Sequence, residues 1–136
     1  MSNLETVKAI YEAFGKGDIP FILSKLADDV DWEQWAENYV QTADVPYLRY
    51  KKGVSDVVEF FQEVAKLGIT KFEVLALMDG ADKIAAEIEI ETTTFTDEEI
   101  HFWVFNEEGK VSRFRHYVDT AKHIAAAEKV KSLSAS

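Results

Sequence analysis

The sequence predicts an α+β fold in which three helices of the N-terminal half pack on one face of a curved antiparallel sheet, followed by a short C-terminal helix. Two observations carry the prediction. Apolar residues recur at helical spacing in two segments before Gly68, with start signals for a third helix at Asp18 and Pro20, and from Ile69 to Val118 the chain reads as four strands joined by short turns. Helices gathered on one side of such a sheet can leave a conical cavity between the layers, while the other face needs solvent or a partner.

Ser2-Asn-Leu-Glu5 has the spacing of a capping box, and Leu4, Val7, Tyr11 and Phe14, widened by Ile10, form the apolar stripe of a first helix. Gly15 and Gly17 close it. Asp18 and Pro20 open a second helix through about Ala27. Asp28 to Trp35 alternates as a strand, with Val30, Trp32 and Gln34 on one face and Asp31, Glu33 and Trp35 on the other. Residues 36–52 hold no period, and Pro46, Tyr47 and Tyr50 mark a long loop of the kind that builds lids or pocket walls. Gly53-Val-Ser55-Asp56 starts a third helix with Val57, Val58, Phe61, Val64 and Ala65 as its buried stripe, and Gly68 stops it. The four strands run from Ile69 to Met78, Lys83 to about Phe95, Glu98 to Asn106 and Val111 to Val118. Their turns fall at Asp79-Gly80, Thr96-Asp97 and Glu107-Glu108-Gly109. Asp119-Thr120 caps a last helix through about Lys131, and residues 132–136 are expected to fray.

A chain of 136 residues makes one domain, covering 1–136, that buries roughly two thirds of its unfolded surface. Aromatics reach 12%, with nine Phe, enough either to wall a greasy cavity or to fill a well-packed core. Its formal charge of −10 repels phosphate backbones and anionic lipid, so neither nucleic acid nor membrane is expected as a partner. The absence of cysteine excludes disulfides, thiolate metal sites and a Cys nucleophile. No stretch approaches the ~20 apolar residues of a membrane span, and no basic, apolar leader opens the chain, so the expected location is cytoplasmic.

The chemistry points to the last strand, where Phe114, His116 and Val118 share one face and Arg113, Arg115 and Tyr117 the other. A histidine between two apolar residues is either a hydrogen-bonded interior group or a pocket residue. With an ordinary pKa near ~6.5 it can give or take a proton. His101 lies with Trp103 and Phe105 on the neighbouring strand and can share the same wall. Two histidines with no placed carboxylate make a weak metal signature, so no metal and no cofactor is expected. His123 is expected in solvent, Asp119 as a helix cap, and Glu87, Glu89 and Glu91 on the face away from the pocket, at the rim of a dimer interface.

Five motifs occur in a telling order: Tyr11-Glu-Ala-Phe14 with Gly17-Asp18, Leu26-Ala-Asp-Asp-Val-Asp-Trp32, Gly53 before Val58-Glu-Phe-Phe61, Phe105-Asn-Glu-Glu-Gly-Lys-Val111, and Arg113-Phe-Arg-His-Tyr-Val-Asp119. From Thr6 to Thr120 the chain resembles the SnoaL-like, ketosteroid-isomerase-related branch of the nuclear transport factor two-like superfamily. The resemblance implies a cone-shaped, cystatin-like fold and a homodimer through the sheet face. It puts Gln34 where the isomerases keep a proton-shuttling aspartate, and His101 and Tyr11 at their oxyanion positions. His116 falls where SnoaL-like cyclases and limonene-epoxide-hydrolase-like enzymes keep a catalytic aspartate. A neutral Gln34, and no arginine near Glu87, Glu89 and Glu91, argue against steroid isomerisation by that route and against epoxide hydrolysis.

The expectation is therefore a cofactor-independent acid–base enzyme of isomerase, cyclase or lyase type, acting on a small hydrophobic, carbonyl-bearing or polycyclic molecule. His116 moves the proton, and His101 and Tyr11 stabilise oxygen charge. Trp32, Gln34, Tyr47, Tyr50, Trp103, Phe114 and Val118 enclose the substrate. A non-catalytic binder of a hydrophobic molecule and a ligand-free dimerisation module are the alternatives.

Overall fold

The computed structural model describes residues 1–135 and side chains as far as residue 133. Helix α1 (Asn3–Lys16) starts where the Ser2 hydroxyl accepts from the Glu5 amide at 3.1 Å, and it buries Thr6, Val7, Ile10 and Ala13. Gly15 stays helical, and Gly17 alone ends the helix. Helix α2 (Ile19–Ser24) is capped by Asp18 and stops before the expected Ala27. Strand β1 (Leu26–Trp32) claims that stretch, because burying Leu26 and Ala27 against the sheet outweighs continuing the helix.

Strand β1 ends at Trp32, short of the expected Trp35, because Glu33 adopts φ 62°. A left-handed residue breaks the two-residue alternation. Trp32 and Glu33 are therefore buried in succession, while Gln34 turns out to solvent, the reverse of the predicted faces.

The expected loop over 36–52 is largely structured. It contains α3 (Tyr39–Thr42), whose first turn is capped by Asn38, a 3-10 turn at Pro46–Leu48, and the two-residue strand β2 (Lys51–Lys52). Val40, Val45, Tyr47 and Leu48 are buried, which makes this segment a wall of the core. Gly53 has φ 85° and its amide bonds the Val30 carbonyl at 2.8 Å. A Cβ there would sit 3.3 Å from the Asp28 carbonyl oxygen, so both conformation and space favour glycine. Helix α4 (Val54–Val64) follows and buries Val57 and Phe60, whereas Ala65 is exposed.

Strands β3 (Lys71–Asp79), β4 (Lys83–Glu91), β5 (Thr96–Phe105) and β6 (Val111–Tyr117) form the meander. The β4–β5 turn falls at 92–95, before the expected Thr96-Asp97, because the Thr92 hydroxyl accepts from the Thr94 and Phe95 amides. The shift puts Asp97 and Glu99 on the buried face of β5 with His101, Trp103 and Phe105. The six-stranded sheet has the order β2-β1-β6-β5-β4-β3. Every pairing is antiparallel except β1 with β6, which is parallel and joins the first strand to the last.

Helix α5 (Thr120–Ala135) starts at Asp119, whose Oδ1 accepts from the Lys122 amide at 3.2 Å. It continues past Lys131 through the segment expected to fray; Ser136 lies outside the described residues. Among the described residues, no helix is long and apolar enough to cross a membrane.

The core lies between the sheet and α1, α2 and α4. Trp32 stacks on Phe114 with centroids 4.1 Å apart, and Trp103 and Phe60 pack around the pair. Each such ring contributes about 1.5–3 kcal/mol by leaving water.

Candidate functional site

His101 and His116 face each other directly across the β5–β6 ladder, with ring centroids 4.5 Å apart. Alternation on two antiparallel strands is enough to bring them together. They line a cavity of about 70 Å³ whose walls are otherwise almost wholly apolar, from α1, α4, the sheet and the 46–48 turn.

Behind His116 stands Glu33. The His116 Nδ1–H donates to Glu33 Oε1 at 2.8 Å, and the His116 backbone amide donates to the same oxygen at 2.5 Å. The Trp35 indole N–H donates to Glu33 Oε2 at 3.0 Å. Glu33 is 1% exposed, so its carboxylate is bound entirely by protein donors. This arrangement fixes the ring and its tautomer, leaving the Nε2 lone pair of His116 with no hydrogen-bond partner among the described residues.

His101 belongs to a second chain of bonds. The Trp103 indole N–H donates to the Tyr11 oxygen at 3.0 Å, so the Tyr11 O–H is free to donate to His101 Nδ1 at 2.8 Å. His101 Nε2–H in turn donates to Glu99 Oε1 at 3.1 Å. Burial and the nearby His116 push the His101 pKa down despite Glu99, which agrees with a neutral ring donating at Nε2 and accepting at Nδ1. Burial also raises the Tyr11 phenol, keeping it protonated. For Glu99, burial pushes the carboxyl up, but hydrogen bonds from His101 and His123 outweigh it and hold the group ionised.

The other oxygen of Glu99 reaches His123. His123 Nε2–H is shared between Asp97 Oδ2 at 2.7 Å and Glu99 Oε2 at 3.1 Å, and its Nδ1 meets the Tyr47 hydroxyl. Burial lowers the His123 pKa, but the two carboxylates more than restore it and hold the ring as a cation. The expectation that His123 is solvated is therefore corrected: it is 1% exposed, packed on Phe95 and held by charges that arrive from β5.

Of the residues singled out from the sequence, the cavity gathers Tyr11, Trp32, Tyr47, His101, Trp103, Phe114, His116 and Val118. Gln34 and Tyr50 lie outside it. Gln34 is exposed, its carbonyl accepting from Arg115 Nε at 2.7 Å, and Tyr50 donates to Asp31 at 2.7 Å on the surface. Sequence reasoning missed Glu33, Asp97, Glu99 and the burial of His123. The period-2 pattern Asp97, Glu99, His101 was the available signal, hidden by setting the turn too late. Trp32 keeps its indole N–H without an acceptor among the described residues, a spare donor on a cavity-lining side chain.

A curved sheet wrapped on helices around an apolar cavity, with polar groups on its sheet wall, defines the cystatin-like, nuclear transport factor two-like class. Within it, the SnoaL-like domain family matches residues 7–114, and the chain belongs to that family. A nuclear transport factor two-like protein of unknown function from Burkholderia pseudomallei K96243 is 26% identical, over 93% of this chain and 98% of its own, with a TM-score of 0.71. A steroid delta-isomerase from Pseudomonas aeruginosa shares the fold at 11% identity, over 98% of this chain and 95% of its own, with a TM-score of 0.68. A Mycobacterium tuberculosis protein solved in complex with estradiol-17beta-hemisuccinate shares it at 21% identity, over 86% of this chain and 94% of its own, with a TM-score of 0.62. None of the curated proteins matches the sequence.

Proposed function

We propose that the protein is a cytoplasmic, cofactor-independent acid–base enzyme of isomerase type that acts on a small hydrophobic ketone. One observation carries the reading: His116 borders an apolar cavity with Nδ1 held by a buried carboxylate and Nε2 unengaged among the described residues. That is the arrangement a general base needs, a lone pair free and the opposite nitrogen oriented. On a β,γ-unsaturated ketone, Nε2 removes a proton from the carbon between carbonyl and double bond and returns it to the far alkene carbon of the resulting dienolate, moving the double bond into conjugation. Tyr11, turning its O–H from His101, and the spare Trp32 N–H stabilise the oxygen as charge develops. Trp103, Phe114, Tyr47 and Val118 enclose the apolar body.

The cavity limits the substrate. About 70 Å³ holds roughly two waters at ~30 Å³ each and is about half of a ~150 Å³ cavity that takes up benzene, so a mono- or bicyclic guest enters only as the walls part. The same reading includes a homodimer through the outer sheet face, where Phe102 packs on Tyr117 with centroids 6.3 Å apart and Tyr117 is 44% exposed.

The test is solvent deuterium uptake by 2-tetralone, followed by NMR. The wild-type protein accelerates uptake at the carbon beside the carbonyl, and His116→Ala loses about 10²-fold or more with its circular dichroism unchanged. Equal rates in the two proteins would overturn the role of His116. Tetralone that quenches tryptophan fluorescence without exchanging would leave the non-catalytic binder instead.

A further inference from the structure

We infer that Glu99, His101 and His116 form a site for a single borderline divalent cation such as Zn²⁺ or Co²⁺, mutually exclusive with proton transfer by His116. Their ligand atoms all lie within 4.8 Å of one another, on the buried face of two adjacent strands. Glu99 Oε1 and His101 Nε2 are 3.1 Å apart. Two ligands of one cation held at about 2.1 Å are separated by roughly 3.0–3.4 Å in octahedral or tetrahedral geometry, so this pair already has the required spacing.

The third ligand is independent evidence. The His116 side chain is 9% exposed, borders the cavity, and no described residue occupies its Nε2. Two imidazoles and one carboxylate, with the remaining coordination positions toward a cavity, suit zinc, cobalt or ferrous iron.

What stands behind each ligand strengthens the case. Metal-binding imidazoles characteristically engage their other nitrogen with a carboxylate, carbonyl or similar group. Here Glu33 holds His116 Nδ1 at 2.8 Å and Tyr11 meets His101 Nδ1 at 2.8 Å. Glu99 keeps its second oxygen on His123 at 3.1 Å. For His101 to bind, its proton moves from Nε2 to Nδ1 and is donated to the Tyr11 oxygen, while the Tyr11 O–H turns from the ring toward the cavity, and the ring need not turn.

The cation and the substrate proton compete for one lone pair on His116. Metal loading therefore suppresses the exchange chemistry rather than driving it, which makes the cation an inhibitor of the proposed activity.

The test uses the whole chain, stripped with a chelator and titrated with Co²⁺ alone. The expected result is one Co²⁺ per chain with visible absorption, Zn²⁺ displacing it, and affinity reduced by at least roughly 100-fold in His116→Ala. Failure of the stripped wild-type protein to take up Co²⁺ would overturn the inference. So would uptake that survives His116→Ala but is lost in His123→Gln, since that assigns the ion to Asp97, Glu99 and His123. Metal binding is read without any substrate, so a protein that binds Co²⁺ but, when stripped of metal, leaves tetralone unexchanged refutes the acid–base reading alone.

Discussion

Glu33 is the residue on which the acid–base reading turns, and its effect reaches the cavity through another side chain. It is a positioning residue: three protein donors converge on its carboxylate, and one of them is the ring that borders the cavity. Replacing it by glutamine keeps the shape and an acceptor for Nδ1–H but removes the carboxylate's charge from beside the ring. Glu33→Gln is expected to lower kcat for tetralone exchange by about tenfold or more while KM stays near its wild-type value. A purely structural role would instead lower the melting temperature and leave the rate of the folded fraction unchanged. Nothing local in Trp32-Glu-Gln-Trp35 announces this role. Period 2 assigns Glu33 to the outside, and only the left-handed backbone, fixed by the Phe114 carbonyl and by Gln41, reverses the assignment.

At the scale of elements, α5 is fastened to the sheet by charge as well as by apolar contact. His123 inserts between Asp97 and Glu99 of β5, and Tyr47 closes the site from the 46–48 turn. Removing that imidazole leaves two buried carboxylates facing each other. His123→Ala should cost about 3–5 kcal/mol of stability, read as a shifted midpoint in urea, and a loss below about 1 kcal/mol would contradict the ion triad. The elements themselves were legible wherever their signal is local: the Ser2–Glu5 cap, the α1 stripe, and the alternation His101, Trp103, Phe105. What could not be read depends on partners distant in the chain. The burial of His123 needs β5, and the wall built from 36–52 needs the core that Val40, Val45 and Leu48 enter.

For the whole molecule, the proposed dimer rests on the outer sheet face. Ile100, Phe102 and Tyr117 form its apolar centre, while Glu87 and Glu98 remain exposed around it. A lysine in the middle would have to be desolvated in a dimer but costs little in a monomer. Phe102→Lys should therefore shift the light-scattering mass from two chains to one, and a wild-type protein already running as a monomer would refute the dimer. The parallel pairing of β1 with β6 carries a different consequence, one of timing. Leu26 must wait for Val111, and Trp32 for Phe114, before either finds its neighbour. On the ribosome, β1 has only the two-residue β2 beside it until β6 is synthesised. Cavity, core and β1–β6 seam consequently form together only once β6 has emerged, and a nascent chain stopped before Val111 exposes the apolar surfaces that the folded domain hides.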